Sequence, residues 1–147
     1  AVRSKKTPDV LPMQADIDFE KPYAGYGWTD QAATTNKFPM QYVGPRNKGW
    51  LYTAVRPGAD YTVRAVFKAG DPALAKSMQL RVNEIRMPKV SSGSREGDLY
   101  AEWKLPASVV NTYRGWVTLE FDLGGYADAD ASGKRTVLFR RVSLNPG

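Results

Sequence analysis

Apolar and polar residues alternate with a period of two along much of this chain. Four long runs carry apolar side chains at every second position, beginning near residues 61, 78, 99 and 117. Such alternation is typical of a β-strand with one buried face and one face in solvent. Shorter or less regular strands are predicted at 17–20, 39–43, 50–55 and 135–144. The pattern therefore predicts an all-β protein.

Turn-forming residues separate these runs. Glycine, proline and serine cluster between them, as in Gly44-Pro45, Pro57-Gly58 and Ser91–Ser94. Helical patterns are confined to 71–77 and 106–113. Eight or nine short strands divided in this way predict an antiparallel β-sandwich of jelly-roll-like architecture.

The beginning of the chain has a different pattern from the remainder. Residues 1–13 contain two prolines and several cations and show no periodicity. They are predicted to be a flexible tail or linker. Residues 14–147 are predicted to form a single β-sandwich domain, a length sufficient to bury a core.

Composition excludes most enzyme chemistry, because the 147 residues contain no histidine and no cysteine. Nucleophilic triads, Cys-His pairs and thiolate or imidazole metal sites are therefore absent from this sequence. Glycosidases use paired carboxylates instead, but nothing singles out a pair among the 15 acidic residues. We predict a protein that is not an enzyme, with no catalytic residue and no cofactor.

The net charge of +6 favours anionic partners of several kinds, including nucleic acids, lipid headgroups and acidic glycans. Proteins that bind single-stranded nucleic acids place aromatic residues between basic ones on an exposed sheet face. The long strands here lack that arrangement, which argues against nucleic acid as a partner. No apolar run approaches the ~20 residues of a transmembrane helix.

Aromatic residues make up 12% of the chain and supply the first candidates for a binding site. Tyr26 and Trp28 lie in a glycine-rich stretch, and Trp50 and Tyr52 alternate with Leu51 along a predicted strand. Sugar rings stack on aromatic planes, and polar groups at the rim bind their hydroxyls. The alternative for each is burial in the core, which the pattern around Trp103 predicts for that residue.

Polar residues from two loops are candidates to complete such a site. Arg46 and Asn47 precede Trp50, and Asn83, Glu84 and Arg86 follow the strand that ends at Val82. Of these, Arg46 and Asn83 are selected. Each has the alternative of an ordinary solvated loop residue. The full set of predicted ligand-binding residues is Trp28, Trp50, Tyr26, Tyr52, Arg46 and Asn83.

One segment has half of a calcium-loop pattern. Asp128, Asp130 and Ser132 precede Gly133 at the spacing of the first ligands of such a loop. Position twelve, however, is Phe139, and two cations follow the glycine directly. We therefore predict an acidic hairpin loop and no metal site.

Several segments together resemble known families. The stretches 18–30 (DFEKPYAGYGWTD), 61–70 (YTVRAVFKAG) and 138–144 (LFRRVSL) resemble carbohydrate-binding modules with a galactose-binding-like jelly roll. A second resemblance, to periplasmic accessory β-sandwiches of membrane-bound glycosyltransferases and phosphoglycerol transferases, rests on 80–84 (LRVNE), 103–106 (WKLP) and 117–123 (VTLEFDL), together with 25–30 and 134–144.

These resemblances imply a non-catalytic carbohydrate-binding or accessory module. Its expected partner is a polysaccharide or oligosaccharide, and its expected location is extracytoplasmic, either periplasmic or secreted. The alternative is a structural β-sandwich that packs against other protein chains, as in a capsid, a fibre or a secretion assembly, and has no sugar ligand. Jelly rolls serve both purposes, so the fold alone does not decide.

Overall fold

The computed structural model describes residues 2–3, 10–19, 28–29, 48–122 and 137–147, with 2–3, 28–29, 48–50 and 137–138 described by their backbone alone. Strands dominate these residues, and two short helices interrupt them. The elements are β1 (Val2–Arg3), β2 (Ala15–Asp18), β3 (Trp28–Thr29), β4 (Lys48–Ala54), β5 (Tyr61–Ala69), α1 (Leu74–Ser77), β6 (Gln79–Val82), β7 (Ile85–Arg86), β8 (Lys89–Arg95), β9 (Asp98–Leu105), α2 (Ala107–Asn111), β10 (Trp116–Asp122) and β11 (Val137–Pro146).

The strands form two antiparallel sheets that enclose one core. The six-stranded sheet has the order β1-β3-β4-β10-β6-β7, and the five-stranded sheet has the order β2-β11-β5-β9-β8. Three of these strands have only two residues, whereas eight have four or more. The prediction of an all-β, antiparallel, jelly-roll-like β-sandwich with eight or nine strands is confirmed.

Period-two alternation explains how the sheets meet. In β9 and β10 every second side chain is buried, and the residues between them are half-exposed. Phe121 of β10 packs edge-on against Trp103 of β9, with 5.9 Å between ring centroids, and at a tilt against Phe139 of β11, with 4.9 Å between ring centroids. Trp103 is 1% exposed, which confirms its predicted place in the core. Aromatic contacts therefore join the two sheets at their centre.

The predicted turn at Ser91–Ser94 is wrong, because these residues lie within β8 at the edge of the five-stranded sheet. Antiparallel pairing with β9 extends the segment despite its low strand propensity. A Cβ added to Gly93 would lie 3.2 Å from the Tyr100 hydroxyl, so the tyrosine side chain already covers the glycine. Strand pairing and this cover together outweigh the local turn signal.

Both predicted helical segments are confirmed as single-turn helices, α1 and α2, of four and five residues. Neither helix in the described ranges is long and apolar enough to cross a membrane. The predicted strand at 39–43 lies outside the described residues.

Part of the segment predicted as a tail contacts the sandwich. The Arg56 backbone amide donates to the Pro12 carbonyl at 2.8 Å, and its Nε donates to the Leu11 carbonyl at 3.1 Å. Leu11 and Pro12 are half-buried as a result. The division into a tail at 1–13 and a domain at 14–147 stays a prediction, but its boundary lies within a segment held by these bonds.

Lys89 fastens the edge strand β8 to α1. Its Nζ donates to the carbonyl oxygens of Ala75 at 3.0 Å and Lys76 at 2.6 Å, and it lies 5.5 Å from the centre of the Trp103 ring. Burial, with a smaller contribution from the nearby charge of Arg86, lowers the pKa of Lys89 to about 8. The ammonium group thus supplies hydrogen bonds to the end of α1, whose last carbonyls have no partner within the helix.

Tyr61 makes the stability of the domain sensitive to alkaline pH. Its hydroxyl donates to the Arg56 carbonyl at 2.6 Å, and burial raises its pKa above 10.0, opposed by the nearby charge of Arg56. A raised pKa means that the unfolded chain loses this proton first. The contribution of Tyr61 to the free energy of unfolding is therefore full below pH ~10, and it is lost as the pH rises through the folded-state pKa.

We expect Tyr61→Phe to lower the free energy of unfolding by about 1 kcal/mol at pH 7, since one buried hydrogen bond is lost and its carbonyl acceptor is left without it. Above pH ~10 the difference from the parent protein should shrink. Urea unfolding between pH 7 and 11 measures both effects. A difference that stays constant across this range would contradict the assignment.

Candidate functional site

A pocket of about 490 Å³ opens on the outer face of the six-stranded sheet. It is formed by β4, β10, the turn between β6 and β7, and the connection from α2 to β10. The described residues that line it are Tyr52, Asn83, Glu84, Tyr113, Trp116 and Thr118. Three aromatic side chains together with hydroxyl, amide and carboxylate groups give it the character of a small-molecule site.

Tyr52 and Trp116 form the aromatic wall of this pocket. Their ring centroids are 4.9 Å apart and their planes are inclined by 22°, which is a stacked arrangement. The two residues are diagonal neighbours on adjacent antiparallel strands, because Tyr52 pairs with Thr118 and Trp116 pairs with Ala54. Each ring therefore restricts the movement of the other, and together they form a fixed apolar surface.

Strand alternation places these rings on the outer face. Leu51 and Thr53 of β4 are buried on the core side, so Tyr52 between them faces outward. In β10, Val117 and Leu119 fill the core, which leaves Trp116 and Thr118 on the outer face. The same pattern that builds the core therefore exposes the wall of the pocket.

A tight connection sets the position of Trp116 at the start of β10. The Gly115 amide donates to the Val110 carbonyl at 2.9 Å, and the Trp116 amide donates to the Tyr113 carbonyl at 3.1 Å. Gly115 has φ of +99°, a conformation that L side chains rarely adopt. This turn brings the chain from α2 into β10 and leaves Tyr113 60% exposed at the rim of the pocket.

Asn83 braces the pocket through both ends of its amide. Its Oδ1 accepts from the Thr118 amide at 3.0 Å, and its Nδ2 donates to the Val109 carbonyl at 3.2 Å. The Asn83 backbone amide also donates to the Thr118 carbonyl at 3.0 Å. These bonds tie the β6–β7 turn to β10 and α2, so Asn83 fixes the shape of the pocket that it lines.

The structure brings together two of the six predicted site residues, Tyr52 and Asn83. Trp28 and Trp50 are placed by backbone register alone, Trp28 opposite Tyr52 and Trp50 opposite Glu120. Tyr26 and Arg46 lie outside the described residues.

Sequence reasoning missed Tyr113, Thr118 and above all Trp116 as pocket residues. It considered Glu84 as a polar partner of the site but did not include it in the predicted set. A signal for Trp116 was present, because it falls on the polar phase of a strand whose buried positions begin at Val117. Its proximity to Tyr52 depends on strand register, which alternation alone does not determine.

Among the described residues, no group of three or more acidic, histidine or cysteine side chains is arranged to hold a metal ion. The segment 128–133, where half of a calcium-loop pattern occurs, lies outside that part of the chain. The prediction of no metal site therefore stays a prediction.

Comparison with protein-family models and with curated proteins finds no match. Among solved structures, the fold is similar to the CBM36-1 domain of a multidomain xylanase from the hindgut metagenome of Trinervitermes trinervoides. The TM-score is 0.44 at 16% sequence identity, with 91% of this chain and 98% of that chain covered. The second resemblance, to periplasmic accessory sandwiches, finds no support in these comparisons.

Proposed function

We propose that this protein is a non-catalytic carbohydrate-binding module and that its ligand binds in the pocket beside Tyr52 and Trp116. The observation that carries the proposal is the stacked aromatic pair in a pocket that also offers amide, hydroxyl and carboxylate groups. The apolar C–H face of a sugar ring would lie against the aromatic surface. Its hydroxyls would exchange hydrogen bonds with Thr118, Glu84 and the backbone of the surrounding turns.

The absence of catalysis is supported by the composition of the described lining. Glycoside hydrolysis uses two carboxyl groups about 5–10 Å apart. The described part of the lining contains one carboxylate, that of Glu84. The described lining, with one carboxylate and an aromatic wall, is suited to holding a glycan.

Trp28 stays a candidate contact in this proposal. The backbone register places it directly opposite Tyr52, which lines the pocket. Trp50, which pairs with Glu120, is a further candidate. Tyr26 and Arg46 are candidates as well. The module would act in an extracytoplasmic system that handles polysaccharide. In the alternative, purely structural role, its partners would be other protein chains.

Calorimetric titration with neutral, acidic and amino oligosaccharides tests the proposal. We expect a Kd of about 0.01–1 mM for at least one of them, because a small open site gains little after desolvation. Trp116→Ala should weaken that binding by about 10-fold or more, since the stacking surface is removed. Tyr52→Ala should act in the same direction.

Tyr100→Ala is the matched control. Tyr100 is also a half-exposed aromatic residue on an outer sheet face, but it belongs to the five-stranded sheet, where the Arg64 guanidinium lies 4.4 Å from its ring centre. Its removal should leave the affinity unchanged, and circular dichroism checks that every variant is folded. A folded protein that binds none of the oligosaccharides, or binds one equally well without Trp116, would refute the proposal and favour the structural alternative.

A further inference from the structure

The charged side chain in the described lining of the pocket is opposite in sign to the net charge of the whole protein. The chain carries a net charge of +6, yet the described lining contains one residue of a charged type, the acidic Glu84. Glu84 is exposed, and its carboxylate forms no ion pair or hydrogen bond within the part of the chain that the structure describes. The Glu84 carboxylate thus offers two hydrogen-bond acceptor oxygens at a pocket that has an aromatic wall.

The backbone holds Glu84 in a fixed position at the pocket. Asn83 and Glu84 form a two-residue turn between the paired residues Val82 and Ile85, with φ of +51° and +70°. Positive φ at both positions is typical of a type I′ hairpin turn, which allows only a small range of backbone conformations. The amide of Asn83 ties this turn to β10 and α2, as described above. The carboxylate therefore extends from a rigid base.

The neighbouring carboxylate on this sheet face is compensated. Glu120 lies two residues beyond Thr118 on the outer side of β10, and Arg81 of β6 approaches it to 3.9 Å. Among the described residues that line the pocket, Glu84 is therefore the carboxylate without a compensating partner. A ligand in the pocket would lie close to the Glu84 carboxylate, with little solvent between them to weaken the electrostatic interaction.

We infer that the pocket selects a neutral oligosaccharide and that Glu84 is the residue that determines this specificity. A neutral sugar brings hydroxyl donors, and a carboxylate accepts charge-assisted hydrogen bonds from two or more of them. A uronic acid or sulfated sugar would place like charge beside Glu84. One ammonium group of an amino oligosaccharide would be attracted by Glu84, but the further ammonium groups of the same chain would extend over a protein of net charge +6. The inference rests on the proposed function and identifies its ligand class.

Calorimetry with hexamers that differ in charge tests this inference on the whole chain. The neutral probes are cellohexaose, xylohexaose and mannohexaose, the acidic probe is hexagalacturonate, and the cationic probe is the glucosamine hexamer. We expect a neutral hexamer to bind tightest, with a Kd that changes less than about 2-fold between ~20 and ~300 mM NaCl, because no ion pair is screened. Glu84→Gln should weaken that binding by about 10-fold through loss of the charged acceptor.

Glu96→Gln is the matched control, since Glu96 is also an exposed glutamate with positive φ (+54°) in a hairpin turn, but lies between β8 and β9 of the other sheet. It should leave the affinity unchanged. Tighter binding of the acidic or the amino hexamer that is lost in Trp116→Ala would overturn the inference and leave carbohydrate binding intact. So would neutral binding that Glu84→Gln does not weaken. If no hexamer binds, or if none loses affinity in Trp116→Ala, the proposed function is overturned, and the inference with it.

Discussion

Gly115→Ala is expected to lower the free energy of unfolding by about 2–5 kcal/mol, which corresponds to a fall in Tm of roughly 5–15 °C. A Cβ at this position would collide with the Val55 carbonyl oxygen and would lie 2.8 Å from Leu11 Cδ1. The carbonyl cannot move away easily, because it belongs to the main chain at the end of β4. In addition, φ of +99° is unfavourable for alanine.

Gly58→Ala separates these two causes. Gly58 has nearly the same φ, +97°, but nothing lies within 4 Å of the added Cβ. We expect a loss of about 1–2 kcal/mol for Gly58→Ala, which is the cost of the backbone conformation alone. Thermal and urea unfolding of both variants give the comparison, and equal losses would show that the close approach at Gly115 is unimportant.

Gly115 also precedes Trp116, so its substitution should affect the pocket as well as the stability. The Gly115 carbonyl accepts from the Val55 amide at 3.0 Å, and this bond holds the start of β10 against the end of β4. A shift of this connection would separate Trp116 from Tyr52. Any glycan affinity measured for the parent protein should therefore fall in Gly115→Ala and persist in Gly58→Ala.

Phe121→Ala is expected to cost about 3–5 kcal/mol of the free energy of unfolding. The ring is fully buried and contacts Trp103 and Phe139, both on the opposite sheet. Its removal leaves a cavity between sheets whose backbones are held by their own strand pairing, so the space cannot close fully.

Phe121→Leu is the comparison, because it keeps much of the volume and should cost less than about 2 kcal/mol. Urea unfolding measures both losses, and near-ultraviolet circular dichroism, to which Trp103 contributes with the other aromatic residues, reports the change in packing. A loss below about 1.5 kcal/mol for Phe121→Ala would mean that the two sheets repack around the missing ring.

The regular strands were predictable because the alternation of apolar and polar residues in the sequence directly reflects which side chains are buried. In β5, β9 and β10 the buried residues are those at the alternating apolar positions of the sequence. Strand β8 was not predictable in this way. Its serines and glycine favour a turn locally, and its extended form depends on pairing with β9, a contact that sequence spacing does not reveal.

The site was predictable only in part, for a related reason. Tyr52 could be placed on an outer face from its position beside Leu51, but the partner that stacks on it is decided by register between β4 and β10. Asn83 was predicted as a ligand-binding residue from its place after a strand. Its bonds to Thr118 and Val109 depend on packing between the turn, β10 and α2, and no local pattern encodes them.

Within the described part of the chain, β8 is an edge strand, and this position bears on how the protein behaves at high concentration. An edge strand exposes backbone groups to which a second chain can add. Here the register shifts between Lys89 and Ser91, and cations stand at both ends of the strand, Lys89 and Arg95. Two copies paired antiparallel along β8 would set each Lys89 beside the Arg95 of the other copy, across an irregular ladder. These features disfavour the addition of a second copy at this edge, although Val90, the second residue of the strand, is 60% exposed.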